Sequence, residues 1–505
     1  MTRSDAADRA GGHLRAVARG SAGTLLGAVV STVAGFGLVL LVTHTVPADT
    51  AGRFFAASAV FLLALATAGL GTDTGLARFV LRAGDPAAVA PLVRTAAVPV
   101  LVAATVLALV LAAVWSDTRA LVWALPLAAA SDLALAAIRA HALFRATVLI
   151  DRLVRPGVQL VLVALVVATE PSGAGIAAAW AAAYVVSALL SLRALRVVLR
   201  RPGSTGHGGP AGPGETVSAG DFWRFTWLRG VARVAQMAIQ KVDVVVVAWL
   251  LSPAEAALYA VATRFVVFGQ LANQAVSTVV QPRFTMILAE GDGPEHRALV
   301  GRVFAVTTGW SILSAWPVYL CVVAAPAAYL GWFGEGYVTG DAVAVAVVMC
   351  CGMLVAVASG PVDTLLLMIG RSGRSLANTL VALAVDVGLC LLLVPRMGIA
   401  GAAVAWVVAV VVRCLLAVVQ LRSDIELQVP VRALLRAASL PVGCLLVPLG
   451  AAHVLLGLTP LTWVLACLLA GAAYVAAVWR LREPLAVDHF VAGLRSGRQR
   501  EAVAA

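Results

Sequence analysis

Five polar side chains in one otherwise apolar stretch hold the most chemistry in this chain. Arg229, Arg233, Gln236, Gln240 and Asp243 fall at spacings of four, three, four and three. At about 100° per residue, a helix gathers them into an arc of roughly 80°. The next stretch repeats the pattern with neutral groups, because Gln270, Asn273, Gln274, Ser277 and Gln281 share an arc of about 100°. Guanidinium groups bind phosphate oxygens in a bidentate manner, so two arginines toward one end of the first stripe suit an anionic ligand such as a phosphate or pyrophosphate. Lys241 and Arg264 lie about 100–130° from the centres of their helices' polar arcs and would either meet the interior from the side or snorkel toward the outer surface. Asp243 would pair with an arginine or carry a coupling proton, and Asp386, in the middle of a later apolar run, is the second coupling candidate.

These residues need elements that keep them out of lipid. The chain has 505 residues, 61% hydrophobic and 12% charged, against about a quarter charged in an ordinary soluble domain. A helix needs about 20 apolar residues to cross the hydrocarbon core. Stretches of that length fall near 24–46, 54–76, 91–115, 120–138, 148–168, 174–192, 226–251, 256–281, 303–328, 341–369, 376–394, 398–420, 432–457 and 461–479. The sequence therefore predicts an all-α polytopic membrane protein with about fourteen transmembrane helices. The first run exceeds the ~7–15 residues of a signal-peptide core and is expected to stay as a span. A charge at the centre of a span costs at least about 2.5–3.5 kcal/mol, so the two polar stripes are expected to face a water-filled interior.

The formal net charge of +12 is almost entirely arginine, and it falls in alternate loops rather than on one basic face, which argues against nucleic acid. Loops rich in arginine include those with Arg78 and Arg94, with Arg139, Arg145, Arg152 and Arg155, and with Arg193, Arg196 and Arg200. The positive-inside bias then places both termini in the cytoplasm, which an even number of spans requires. The seven cysteines lie in or beside apolar runs without metal-ligand spacing, so no metal or cofactor is expected.

Internal similarity divides the chain. Pro47 to Phe54 resembles Pro253 to Tyr259, Asp132 with Arg139 recurs as Asp363 with Arg371, and Pro171 to Trp180 recurs as Pro395 to Trp406. The expected organisation is an N-terminal six-helix lobe (1–200), a cytoplasmic Gly/Pro-rich linker (201–220), a C-terminal six-helix lobe (221–425), two additional transmembrane helices (426–482) and a cytoplasmic tail (483–505); such repeats are common in transporters. Asp73, Asp132 and Asp363 near span ends are expected to cap or to pair with the arginines beside them, and Gly71-xxx-Gly75 predicts a close helix approach.

The runs Arg264 to Phe284, Gly360 to Leu380 and Leu391 to Trp406, with Leu25 to Phe55 and Gly69 to Val80 in the first half, resemble the polysaccharide-biosynthesis flippases of the multidrug/oligosaccharidyl-lipid/polysaccharide (MOP) exporter superfamily. The resemblance implies a V-shaped pair of six-helix lobes working by alternating access in a bacterial cytoplasmic membrane. It implies a flippase, not an enzyme, that moves an undecaprenyl-diphosphate-linked oligosaccharide from the inner to the outer leaflet beside a polysaccharide polymerase or glycosyltransferases. The substrate-binding set would be Arg229, Arg233, Gln236, Gln240, Arg264, Gln270, Asn273 and Gln274, with Asp243 and Asp386 for coupling. Asp386 stands where relatives would carry asparagine, and span one lacks the arginine of the lipid II flippases. Alternatives are a cation- or proton-coupled multidrug antiporter of the same superfamily, which would favour carboxylates over arginines, then a lipid II flippase, then a membrane glycosyltransferase or polymerase. The last would need large external loops or a soluble domain, and no predicted external loop exceeds about a dozen residues.

Overall fold

The computed structural model describes residues 25–83, 86–141, 143–169, 171–200, 218–290, 293–425 and 431–482. Most of the expected linker and all of the expected tail lie outside them. Among the described residues, eleven helices are long and apolar enough to cross a membrane. They are α1 (Leu25–Thr45), α2 (Ala48–Val80), α3 (Ala90–Val114), α5 (Arg145–Thr169), α6 (Gly173–Leu199), α9 (Pro294–Ala324), α10 (Gly340–Met368), α11 (Ser372–Met397), α12 (Ile399–Ile425), α13 (Leu434–Leu456) and α14 (Pro460–Arg480). A pair bent by 46°, Ser116–Val122 and Leu125–Ala140, forms α4 and raises the count to twelve.

Two further helical segments fall where the sequence predicts spans seven and eight. They are α7 (Ala219–Leu250) and α8, which runs Pro253–Ala262 and, after a break, Val266–Glu290. The 32 residues of α7 and the 25 of the second part of α8 would extend about 48 and 37 Å at 1.5 Å per residue, enough to cross the hydrocarbon core. What separates them from the others is their content of charged and amide side chains.

The helices form two compact units, Leu26–Ala257 and one that includes Leu258–Ala505. In the first, α2, α4 and α7 enclose a core of Leu76, Phe79, Val80, Leu135, Ile138 and Phe222. Helix α7, which the sequence reading places in the second lobe, packs against both parts of α2. Glycine explains the approach. Gly71 has φ +75°, and a methyl group there would fall on the backbone of α7, 2.8 Å from the carbonyl carbon of Arg229. One on Gly230 would lie 2.8 Å from the carbonyl carbon of Leu70. Gly75 faces Thr226 and Phe222 in the same seam. Leu70 itself has φ 49°, a left-handed conformation that costs a residue with a Cβ about 1–2 kcal/mol. The chain turns sharply here and restarts as a helix at Thr72, whose Oγ1 donates to Gly69 O at 2.8 Å.

In the second unit, Val280 and Phe284 of α8, Phe304 of α9, Leu365 of α10 and Leu421 of α12 form one core. The last two helices attach to α9 through Leu313, Leu320, Leu445, Leu449 and Tyr474. Tyr474 Oη donates to Leu313 O at 2.6 Å, and Trp463 Nε1 donates to Cys321 O at 3.0 Å. Polar atoms on otherwise apolar helices thus find backbone acceptors, as a membrane interior demands.

Candidate functional site

Helix α7 carries its polar stripe as the spacing predicts, and the solvent exposure of its side chains shows which way it points. Arg233, Gln236 and Gln240 are exposed and Arg229 is partly so, whereas Asp243, at 5% exposure, is buried. The exposed apolar residues Trp227, Val231 and Trp249 lie about 160–200° around the helix from Arg229. The helix therefore shows two open faces of opposite character, and only the apolar one suits acyl chains.

Arg233 does not stand alone. Its Nη1 lies 2.9 Å from Asp73 Oδ2, the second residue of the helix that restarts after Gly71. The other oxygen of Asp73, Oδ1, accepts from Thr74 N at 2.8 Å. Beyond this pair, Asp132 on α4 lies within electrostatic reach of Arg155, Arg233 and Arg139. Arg155 in turn meets Asp151 at 2.8 Å and stacks over Tyr184, 5.3 Å from the ring centroid. Asp151 sits in a π-helical turn, Val148–Val154, a distortion often found at functional sites. Four helices, α2, α4, α5 and α7, thus contribute charges to one network in this unit, and α6 adds the ring of Tyr184. Arg229 lies 5.7 Å from the centroid of Phe225, which Arg78 approaches at 4.3 Å.

Two sequence expectations need correction. Arg152 and Arg155 count among the cytoplasmic loop arginines in the charge pattern although they fall within the predicted span 148–168; the structure places both inside α5, bound to Asp151 at 3.5 and 2.8 Å, and an acid within reach makes a charge tolerable in a span. Asp73 and Asp363 are expected to cap or to pair with the arginines beside them in sequence, and the pairing half of that expectation fails although Asp73 does sit in a first turn and accept from Thr74 N. Asp73 instead takes Arg233, and Arg371 and Arg374 go to Asp424 at 3.3 and 2.8 Å.

In the second unit the stripe on α8 also turns away from its core. Gln270, Gln274 and Gln281 are exposed and Asn273 and Ser277 partly so, while Val276, Val280 and Phe284 are buried. Arg264 lies in the break between the two parts of α8, partly exposed and within electrostatic reach of Tyr329, whose Oη donates to Val261 O at 3.0 Å. Asp386 on α11 is fully buried, with Cys390 Sγ 3.9 Å from its Oδ1. Asn378 and Gln420 exchange two amide hydrogen bonds, 3.0 and 2.9 Å, between α11 and α12.

The sequence reading missed Arg413, at the middle of α12. Its Nε lies 3.4 Å from Asp363 Oδ2, near enough for an ion pair, while Asp363 Oδ1 is buried without a hydrogen-bond partner. Asp363 follows Gly360, φ +75°, just as Asp73 follows Gly71, φ +75°. Both units therefore break a helix at a left-handed glycine and place a carboxylate soon after it, bound to an arginine on another helix. A lone arginine in the centre of an apolar run was the available signal. Arg413→Leu is expected to destabilise the protein by roughly 2 kcal/mol, between about 1 for exposed pairs and about 3–5 for buried ones. Arg413→Leu combined with Asp363→Asn should recover much of that loss in a thermal-unfolding measurement. An additive double variant would show that the two side chains do not interact.

The chain is a multi-pass helical membrane protein by the length and composition of its helices, and its fold is similar to that of several solved transporters. The chain is similar to the lipid II flippase MurJ in an inward closed conformation, with a TM-score of 0.67 at 10% identity over 92% of this chain and 99% of that one. It is also similar to a multidrug resistance MATE family transporter in an inward-facing conformation, with a TM-score of 0.59 at 16% identity over 80% of this chain and 98% of that one. A MOP superfamily transporter from Pyrococcus furiosus gives a TM-score of 0.54 at 16% identity, over 81% of this chain and 95% of that one. No protein-family model and no curated protein sequence matches the chain. These structural neighbours are transporters and flippases rather than enzymes.

Proposed function

We propose that this protein is a flippase that moves a diphosphate-linked lipid, an undecaprenyl-diphosphate-linked oligosaccharide, from the inner to the outer leaflet of a bacterial cytoplasmic membrane. The observation that carries the reading is Arg233. It is a half-exposed guanidinium on the polar face of a membrane helix, flanked by Arg229 toward one end and by Gln236 and Gln240 toward the other. An exposed arginine favours an anionic headgroup over an organic cation, and diphosphate oxygens match its paired N–H groups. The amides of Gln236, Gln240, Gln270, Asn273 and Gln274 offer donors and acceptors to sugar hydroxyls without binding one sugar tightly. Arg264 serves as a second phosphate contact, and Asp243 and Asp386 are the coupling candidates, because carboxylates out of water are the groups whose proton or cation occupancy changes most easily with their surroundings. The cargo's hydrocarbon tail stays among acyl chains while its headgroup follows the polar faces.

Depletion of the protein followed by analysis of lipid-linked intermediates tests this. Accumulation of a lipid-diphosphate glycan on the cytoplasmic side is the expected result and would name the sugar. Normal turnover of every such lipid, together with lost resistance to cationic drugs, would replace the reading with an antiporter.

A further inference from the structure

Arg233 is already occupied, and its occupant is built so that it can let go. Asp73 meets Arg233 through one oxygen only, Oδ2 at 2.9 Å from Nη1, and the two side chains are 30% and 48% exposed. Ion pairs this open contribute about 0–1 kcal/mol. The carboxylate does not depend on the arginine for its place. Its Oδ1 accepts from Thr74 N, and it lies in the first turn of the helix that begins at Thr72, where the helix dipole favours a negative charge. The glycine seam of Gly71, Gly75 and Gly230 holds that turn against α7. Arg233, whose side chain is 48% exposed, turns to water when the pair opens. Neither partner is stranded.

We propose that Asp73 is an internal competitor for the cargo's phosphate groups, seated on Arg233 when no cargo is bound and displaced by an incoming diphosphate. The inference rests on the flippase reading above and assigns a role to a residue outside the predicted binding set. A diphosphate brings more charge than one carboxylate and binds guanidinium through two oxygens, so it wins the exchange, whereas a weakly charged headgroup does not. The carboxylate thus acts as a filter, since a ligand must beat it to reach Arg233. It also keeps the arginine's charge balanced while the site is empty.

The test is calorimetric binding of farnesyl diphosphate to the purified full chain in detergent, with inorganic pyrophosphate and uncharged farnesol as parallel probes. Asp73→Asn keeps the side chain's shape and removes its charge, and is expected to tighten farnesyl diphosphate binding by up to about fivefold. The gain should vanish in the Asp73→Asn, Arg233→Gln double variant. A matching gain for pyrophosphate would show that the competition is for phosphate charge whatever its source, and a gain for farnesyl diphosphate alone would tie it to the lipid; both support the proposal. A gain for farnesol overturns it. Binding lost in Arg233→Gln but unchanged or weaker in Asp73→Asn overturns this proposal and leaves the flippase reading intact. Equal binding by the native chain and Arg233→Gln overturns both. Should Asp73→Asn fail to give folded protein, Asp73→Ser removes the same charge and serves in its place.

Discussion

Export of surface polysaccharide is expected to fall at least tenfold when Arg233 is replaced by alanine in a cell that depends on this protein. A hydrogen bond to a charged group contributes about 1.5–3 kcal/mol, which corresponds to roughly ten- to a hundredfold in affinity. Arg233 is an exposed cation on α7's polar face, and under the proposed function its loss removes a direct phosphate contact. It also removes the cation facing Asp73, whose carboxylate then repels the same ligand. Arg233→Lys should fall between native and alanine, because an ammonium keeps the charge but cannot present the planar fork. Surface glycan is measured against the amount of correctly inserted protein in each strain. Native-level export by the alanine variant would remove this residue from the site.

The second large effect is on folding. Gly71→Ala and Gly230→Ala are each expected to abolish recovery of monodisperse protein in detergent. The two glycines press the break in α2 against α7 backbone to backbone, and a Cβ on either would lie within 3 Å of main-chain atoms that have nowhere to move. At Gly71 the φ of +75° adds the left-handed penalty of about 1–2 kcal/mol. The combined cost should exceed about 4 kcal/mol, the range reached only when packing or backbone geometry is broken outright. Gly388→Ala is the control, because a Cβ there meets nothing within 4 Å; in a helix interior it should be neutral or stabilising by up to about 1 kcal/mol. Size-exclusion profiles of the three variants decide the matter, and a normal profile for Gly230→Ala would show that the seam yields.

The contrast between these residues explains what the sequence could reveal. Hydropathy locates most of the helices because lipid imposes one length and one composition on each; among the described residues eleven or twelve helices are long and apolar enough to span, and the polar α7 and α8 are not among them. The stripe on α7 was legible because helical periodicity reports a helix's own faces. Gly71-xxx-Gly75 was legible as a close approach for a similar reason, as small residues have few other uses in such a seam. Periodicity carries nothing about what stands opposite. Asp73 and Arg233 are 160 residues apart, and no local pattern joins them, so each carboxylate was assigned to the nearest arginine in sequence. Arg155, counted with the loop arginines though it lies inside the predicted span 148–168, has its acid one turn away on the same helix. Arg413 was overlooked because a single charge makes no stripe. The tight pairing of α7 with α2 depends on backbone contact, which composition registers only as scattered glycines.

Water, not lipid, must wet the polar faces of α7 and α8 for a charged headgroup to pass along them. Single cysteines placed in a background with the seven native ones replaced test this directly, using a charged, water-soluble maleimide on the protein in intact membranes. Gln236→Cys, Gln240→Cys and Gln274→Cys should label readily, while Val231→Cys on the opposite face of α7 and Met286→Cys on α8 should label slowly. Rapid labelling at Val231 or Met286 with protection at Gln240 and Gln274 would mean that these amides and Arg233 face acyl chains, and the proposed route for a charged headgroup would be lost.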